Sequence, residues 1–162
     1  AQEAAASGIS GTGAARGLQP VGEVVGALYR HGLAGRTLIS TMEPTSIDLL
    51  REIAPEIPVG RSFPRMRRDP TRNPVLRWPA YLLLAWYRWR VPAIAERDIR
   101  SGRIDALMCH WAFVSRRLVD AVSRAGGELY VWTVDDARQI ARLEAMGVTG
   151  VISNDPRLFV AA

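Results

Sequence analysis

An α/β fold built on a parallel sheet is predicted by three stretches of this 162-residue sequence. Residues 128–153 read as strand, helix, strand within about 25 residues, a right-handed βαβ unit, which lays its strands parallel. Residues 38–41 read as a strand followed by a helix, and residues 104–111 as another strand followed by another helix. Parallel sheets carry chemistry at the C-terminal ends of their strands, so the residues that close each strand are the ones to examine.

Taken in order, residues 1–20 are small, polar and glycine-rich with almost no apolar periodicity, and are expected to form a flexible leader. Residues 21–31 have helical spacing, with Val24, Val25 and Leu28 inward and Gly32 as the stop. After the strand at 38–41, Ser46 starts a helix with Ile47, Leu50 and Ile53 inward. Glu43 lies between the two, on the chemical edge of the sheet. A glutamate there can assist a metal or a substrate hydroxyl, or can simply be a solvated loop acid or helix cap.

Residues 61–103 carry 11 arginines, among them Arg61, Arg88 and Arg90, against Asp69, Glu96 and Asp98. Within this window residues 78–87 are apolar throughout, and Pro79 and Pro92 are expected to bracket one short helix. A helix apolar on all sides must be buried or lipid-facing. At about ten residues it is too short to cross a bilayer, yet Trp78, Trp86, Trp89, Arg88 and Arg90 are residue types that favour the membrane interface. Three readings stay open: a lipid-facing lid, a helix buried on its own fold or on a partner chain, and a nucleic-acid surface. The apolar Leu82-Leu83-Leu84 centre speaks against the last.

In the strand at 104–111, Ala106, Met108 and His110 share one face, and Leu107, Cys109 and Trp111 the other. His110 closes it and is a candidate for the mouth of a site; Cys109 reads as a small buried hydrophobe. Ser115 or the turn it opens caps a helix that packs Leu118, Val119 and Val122 and ends at Gly126. Residues 129–134 form a β-branched and aromatic strand. Asp135 or Asp136 then caps a helix with Ile140, Leu143 and Met146 inward, and Gly147 stands where a left-handed C-cap is needed, before a last strand at 148–153.

The run Val131-Trp132-Thr133-Val134-Asp135, a helix, then Gly147-Val148-x-Gly150-Val151-Ile152-x-x-Asp155-Pro156 resembles the closing signature of the glycerophosphodiester phosphodiesterase family. Upstream, Arg36-Thr37-Leu38-Ile39-Ser40-Thr41-Met42-Glu43, a helix, then Pro55-Glu56-Ile57-Pro58-Val59-Gly60 resembles that family's middle strand and the segment after it. Two departures, Thr41-Met42 for the usual Ser-Phe and Ser153-Asn154-Asp155 for the commoner Thr-Asp, touch no catalytic role.

The resemblance implies the C-terminal part of a TIM (β/α)8 barrel of the PLC-like phosphodiesterase type. The barrel is expected to be incomplete, because a full one needs about 250 residues. Residues 21–162 would form this half, with the Arg/Trp-rich insertion at 61–103. The implied activity is that of a phosphoric diester hydrolase of lipid metabolism, splitting a glycerophosphodiester, or a lysophospholipid-like substrate, into an alcohol and glycerol 3-phosphate. The family's His-Arg pair, acidic pair, second His and further Glu have no counterpart here, so catalysis by these residues alone is not expected. The same holds for the divalent cation, calcium or magnesium, whose ligands are not found in this sequence. What the chain would supply is the substrate wall: Trp132 as an apolar platform, with His110, Arg61 and Glu43 near the phosphate. The competing reading is a non-catalytic half-barrel that binds a membrane or a partner.

Composition bounds the rest. The 21 basic residues, all arginine, outnumber 16 acidic ones, which suits an anionic membrane surface as partner. One cysteine allows no internal disulfide. The start lacks the pattern of a signal peptide, and no window of 18 apolar residues occurs, so a cytoplasmic or membrane-peripheral protein is expected. The open edges of a half-barrel would favour self-association or pairing with the missing N-terminal half.

Overall fold

The computed structural model describes residues 15–63 and 77–159, with the side chains of 15–19 and 77–81 outside that description. The expected leader up to residue 14, the 64–76 part of the insertion and the Trp78 side chain therefore lie outside the described residues.

Five strands, β1 (Ile39–Thr41), β2 (Val59–Phe63), β3 (Ala106–His110), β4 (Glu128–Trp132) and β5 (Gly150–Val151), form one sheet in the order β1-β2-β3-β4-β5. Every pair is parallel. Each strand neighbours its successor, which is the order of a barrel; a doubly wound sheet reverses direction midway. The two faces agree with that. Val59, Leu107, Cys109, Leu129 and Val131 are buried under helices, whereas Ser40, Ser62, Met108, His110, Tyr130 and Trp132 on the other face are half-buried or exposed. Among the described residues helices cover one side only and the five strands do not close, which leaves the would-be barrel interior as an open face.

Helix α1 (Ala15–Arg30) starts earlier than expected, inside the stretch read as leader. It turns Val25 inward with Val21 and Leu28 beside the core, but Val24 is exposed. Positions 21, 25 and 28 make one stripe of a 3.6-residue helix, and Val24 is a hundred degrees away from Val25 around that helix. The same correction applies to α2 (Pro44–Ile53), where the stripe runs from Ile47 and Leu50 to Ala54 and leaves Ile53 exposed. This helix starts at Pro44 rather than Ser46, with Glu43 at its N-cap.

The largest departure is α3 (Arg77–Arg100), a single 24-residue helix where two prolines were expected to bracket a short one. Pro79 occupies the first turn, where an N–H has no intrahelical acceptor, so it starts the helix without disturbing it. Pro92 lies inside, buried beside Val91, and the apolar contacts of that face carry the helix past its missing N–H. At 1.5 Å per residue α3 is about 36 Å long, against about 17 Å for a five-residue strand. Tyr87 marks where the two part company. Its ring packs edge-on against Phe63, the last residue of β2, at 5.1 Å and Phe113, just beyond β3, at 6.1 Å. Residues 77–86 therefore rise above the C-terminal edge of the sheet.

Below Tyr87, α3 presents Val91, Ala95, Asp98 and Ile99 to the sheet. Among the described residues Asp98 is the one charged residue that is buried, with its side chain 3% exposed. Its Oδ2 accepts from Arg61 Nη1 at 2.7 Å and its Oδ1 from Arg97 Nη2 at 2.9 Å. Arg51 binds Asp105 at 2.6 Å and Arg103 binds Asp48 at 2.8 Å, so α2 is tied to the turn before β3. Several arginines of the basic window are thus neutralised within the fold, and its free positive charge is smaller than the sequence count.

Helices α4 (Arg116–Arg124) and α5 (Ala137–Ala145) match expectation closely. Ser115 Oγ caps α4 by accepting from Leu118 N–H, and Asp136 Oδ1 caps α5 by accepting from Gln139 N–H at 2.8 Å. Gly147, at φ +86°, ends α5 with its N–H on the Glu144 carbonyl while Val148 N–H reaches Leu143. Cys109 is fully buried, and burial pushes its thiol up to about 12.

Candidate substrate-binding site

Alternation along parallel strands decides which side chains reach the open face. In register, His110 pairs with Trp132, and both belong to the face-up row with Met108 and Tyr130. Their rings meet edge to face, with centroids 5.7 Å apart and planes at 78°. The backbone turns into a 3-10 segment (Trp111–Phe113) directly after β3, which lets Ala112 N–H donate to His110 Nδ1 at 3.3 Å. A ring that accepts at Nδ1 carries its proton on Nε2. Trp111 flanks the imidazole at 5.2 Å and Phe113 at 6.4 Å. His110 is therefore held among aromatic rings beside the half-buried Trp132, at the edge where such sheets do chemistry.

The other expected wall residues separate. Arg61 does not join this face: Gly60 and Ser62 take the face-up positions of β2, so Arg61 turns under α3 and pairs with Asp98. The earlier expectation of a phosphate contact for Arg61 is corrected by that two-residue period. Glu43 does stand at the C-terminal edge, two residues past β1, with its N–H on Thr41 Oγ1 at 3.1 Å and its carbonyl receiving Ile47 N–H. Two strand spacings, roughly 10 Å, lie between β1 and β3. On α3, Trp86 and Trp89 are more than half exposed and Leu82 is 73% exposed. Arg90 lies over the Trp89 ring at 5.8 Å, while Arg88 Nη2 donates to the Val114 carbonyl at 3.2 Å.

Residues that sequence reasoning passed over also face up. The Ser40 and Ser62 hydroxyls bond across β1 and β2. Tyr130 donates to Glu128 Oε2 at 3.0 Å, and burial together with that carboxylate holds its phenol above the ordinary value. Only the period of two marks these positions in a sequence, and it becomes informative once the register is known.

Asp135 ties the ends of β4 and β5 together. Its Oδ1 accepts from Asn154 N–H and from Ser153 Oγ, both at 2.8 Å, and its Oδ2 accepts from Asn154 Nδ2 at 3.0 Å. The Asn154 backbone N–H first, then Ser153 and the Asn154 amide, hold this carboxyl below the ordinary range. A depressed carboxyl contributes stability above its unfolded value, about 3.9, and loses that contribution as pH falls through the folded value. The Asn154 amide resonance is expected to titrate with a midpoint below 3.9, and β5 protection from hydrogen exchange to fall in the same window. A midpoint at or above the ordinary value would contradict the clasp.

Among the described residues no group of three or more His, Cys, Asp or Glu side chains is arranged to hold a metal ion. The described donors therefore do not fit the divalent cation implied by the resemblance. Among the described residues no helix is long and apolar enough to cross a membrane.

The sequence model of the glycerophosphoryl diester phosphodiesterase family matches residues 15–158. Glycerophosphodiester phosphodiesterase GDPD4 of Arabidopsis thaliana is 41% identical over 46 residues, which are 28% of this chain and 14% of that protein. A glycerophosphodiester phosphodiesterase from Parabacteroides distasonis superposes with a TM-score of 0.64 at 16% identity, over 91% of this chain and 51% of its own. A phosphodiesterase from Oleispira antarctica, solved in complex with the product sn-glycerol-3-phosphate, superposes with a TM-score of 0.61 at 17% identity, over 88% and 49%. The chain thus spans about half the length of these two solved structures, and they share its fold.

Proposed function

Since the chain belongs to the glycerophosphoryl diester phosphodiesterase family, we propose that residues 21–162 form the substrate wall of a phosphoric diester hydrolase acting on glycerophosphodiesters. The observation that carries this reading is the His110–Trp132 pair, two register neighbours that meet on the open face at the C-terminal edge. Trp132 offers an apolar platform for the glycerol or alcohol part of the substrate. His110 stands beside it on the open face, where the phosphate would lie. Glu43 stands farther along the same edge. Product binding to the Oleispira antarctica relative supports a ligand that carries glycerol 3-phosphate.

In this reading the bond-breaking groups come from further strands. Among the described residues the outer edges of β1 and β5 have no strand partner, and open edges favour closure. The strands that complete the sheet belong to a longer chain or to another copy. Titration with sn-glycerol 3-phosphate should shift the His110 ring and Trp132 indole resonances saturably, and an absence of shifts would overturn the substrate wall. The 162-residue chain should release no choline from glycerophosphocholine with calcium or magnesium. Release abolished by EDTA would overturn the division of labour between this wall and the missing strands.

A second component is favoured by the part of α3 that overhangs the edge. Leu82, Trp86 and Trp89 recur every three to four residues on its outward side, and Arg90 lies over the last of them. This pattern supports docking of the site mouth on an anionic membrane, where lipid-derived diesters are found.

A further inference from the structure

We propose that the cleft between α3, α4 and α5 is a second binding site, separate from the open face, for an organic group that carries a phosphate. The cleft has a volume of about 770 Å³, and Arg88, Arg116, Arg138 and Arg142 line it, with no Asp or Glu among its described lining residues. Four guanidiniums around one space repel each other unless an anion joins them. Two of them are already oriented by backbone carbonyls: Arg88 by Val114 at 3.2 Å and Arg116 by Met146 at 3.0 Å. A carbonyl fixes the guanidinium fork and leaves its full charge and its other N–H donors available.

Arg138 and Arg142 stand one turn apart on α5, a like-charged spacing that weakens a helix left to itself. Neither has an ion-pair partner among the described residues. Of the two carboxylates within two positions of these arginines, Asp136 is engaged at the helix cap by Gln139 N–H, and Glu144, two residues past Arg142, does not share its side of the helix. Trp111, Val114, Leu143 and Met146 add apolar surface to the same lining. A lining that combines arginines with an exposed indole fits an ester, whose phosphate meets the arginines while its organic part lies on the indole.

Trp111, in the 3-10 turn after β3, stands between the two sites, with its ring 5.2 Å from that of His110. His110 turns to the open face with Trp132, and the next residue, Trp111, lines the cleft. The ligand has two possible sources with the same chemistry, a soluble phosphate ester or the headgroup of an anionic lipid.

The test uses the whole chain and two probes, inorganic phosphate and nanodiscs containing phosphatidylglycerol, read through the Trp111 indole N–H resonance. Phosphate should shift it saturably, and Arg138→Gln with Arg142→Gln should weaken that binding by about tenfold or more, since two charge-assisted contacts are lost. If the headgroup is the source, nanodiscs should move the resonance at phosphate concentrations where the free ion has no effect, again only with both arginines present. Arg142→Lys, which keeps the charge, should retain most of the affinity and controls for folding. Trp86→Ala with Trp89→Ala should leave phosphate binding intact, which separates this cleft from docking by the outer face of α3. No shift with either probe, or a shift that the double glutamine variant does not weaken, would overturn the site.

Discussion

Replacing Leu82, Trp86 and Trp89 together by alanine should lower binding to anionic vesicles by about a hundredfold. The three side chains are 73%, 52% and 57% exposed, and they lie on the outward side of α3 above the edge of the sheet. Truncating them removes on the order of 300 Å² of accessible apolar surface, worth up to about 7 kcal/mol on full burial. Insertion only to headgroup depth realises roughly 3 kcal/mol of that, which is the hundredfold. Arginines near an anionic surface add about 1 kcal/mol each. Those tied to Asp98, Glu96 and Asp48 are partly offset, so Arg90 and Arg88 are the described ones to count first. Cosedimentation with vesicles, together with a blue shift of tryptophan emission that weakens as salt is raised, measures both terms. Equal binding to neutral and anionic vesicles, or none to either, would assign the stripe to a protein partner instead.

Asp98→Ala should cost about 3 kcal/mol and lower the thermal midpoint by about 10 °C for a chain of this size. The substitution leaves Arg61 beneath α3 without its partner, and removing one member of a buried pair costs about 3–5 kcal/mol. The low end applies because Arg61 keeps 29% of its side chain exposed, so water screens part of the charge. Asp98→Leu combined with Arg61→Met should recover most of the loss, because a matched apolar pair leaves no charge stranded. Calorimetry of the three variants distinguishes an ion pair of this kind from simple packing. A change under 1 kcal/mol for Asp98→Ala would mean that Arg97 or water already replaces the contact.

How far a sequence can be read depends on whether a feature is local. Strand β4, the Asp136 cap and the Gly147 stop are decided within one turn of chain, and all were legible. Val24 and Ile53 were misassigned because apolar neighbours in a helix differ by one position, and only the packed stripe chooses between them. Pro92 marked a helix end by propensity, but burial of its flank overrides that preference. Arg61 was expected near the phosphate from the resemblance alone; its direction depends on the pairing of Gly60 with Ala106, which is remote in sequence. The strand-end positions of His110 and Trp132 were legible because each closes a strand. The cleft of four arginines was not, since its members come from three helices and no spacing unites them.

The order of strands has a consequence for chain entropy. Gly60 pairs with Ala106, 46 residues on, and Ala106 with Glu128, 22 residues on. Doubling the length of a closed loop costs only about 0.6 kcal/mol. The extra length between β2 and β3 therefore burdens the sheet very little, and the outward half of α3 is free to change in length and composition while the register below it stays the same.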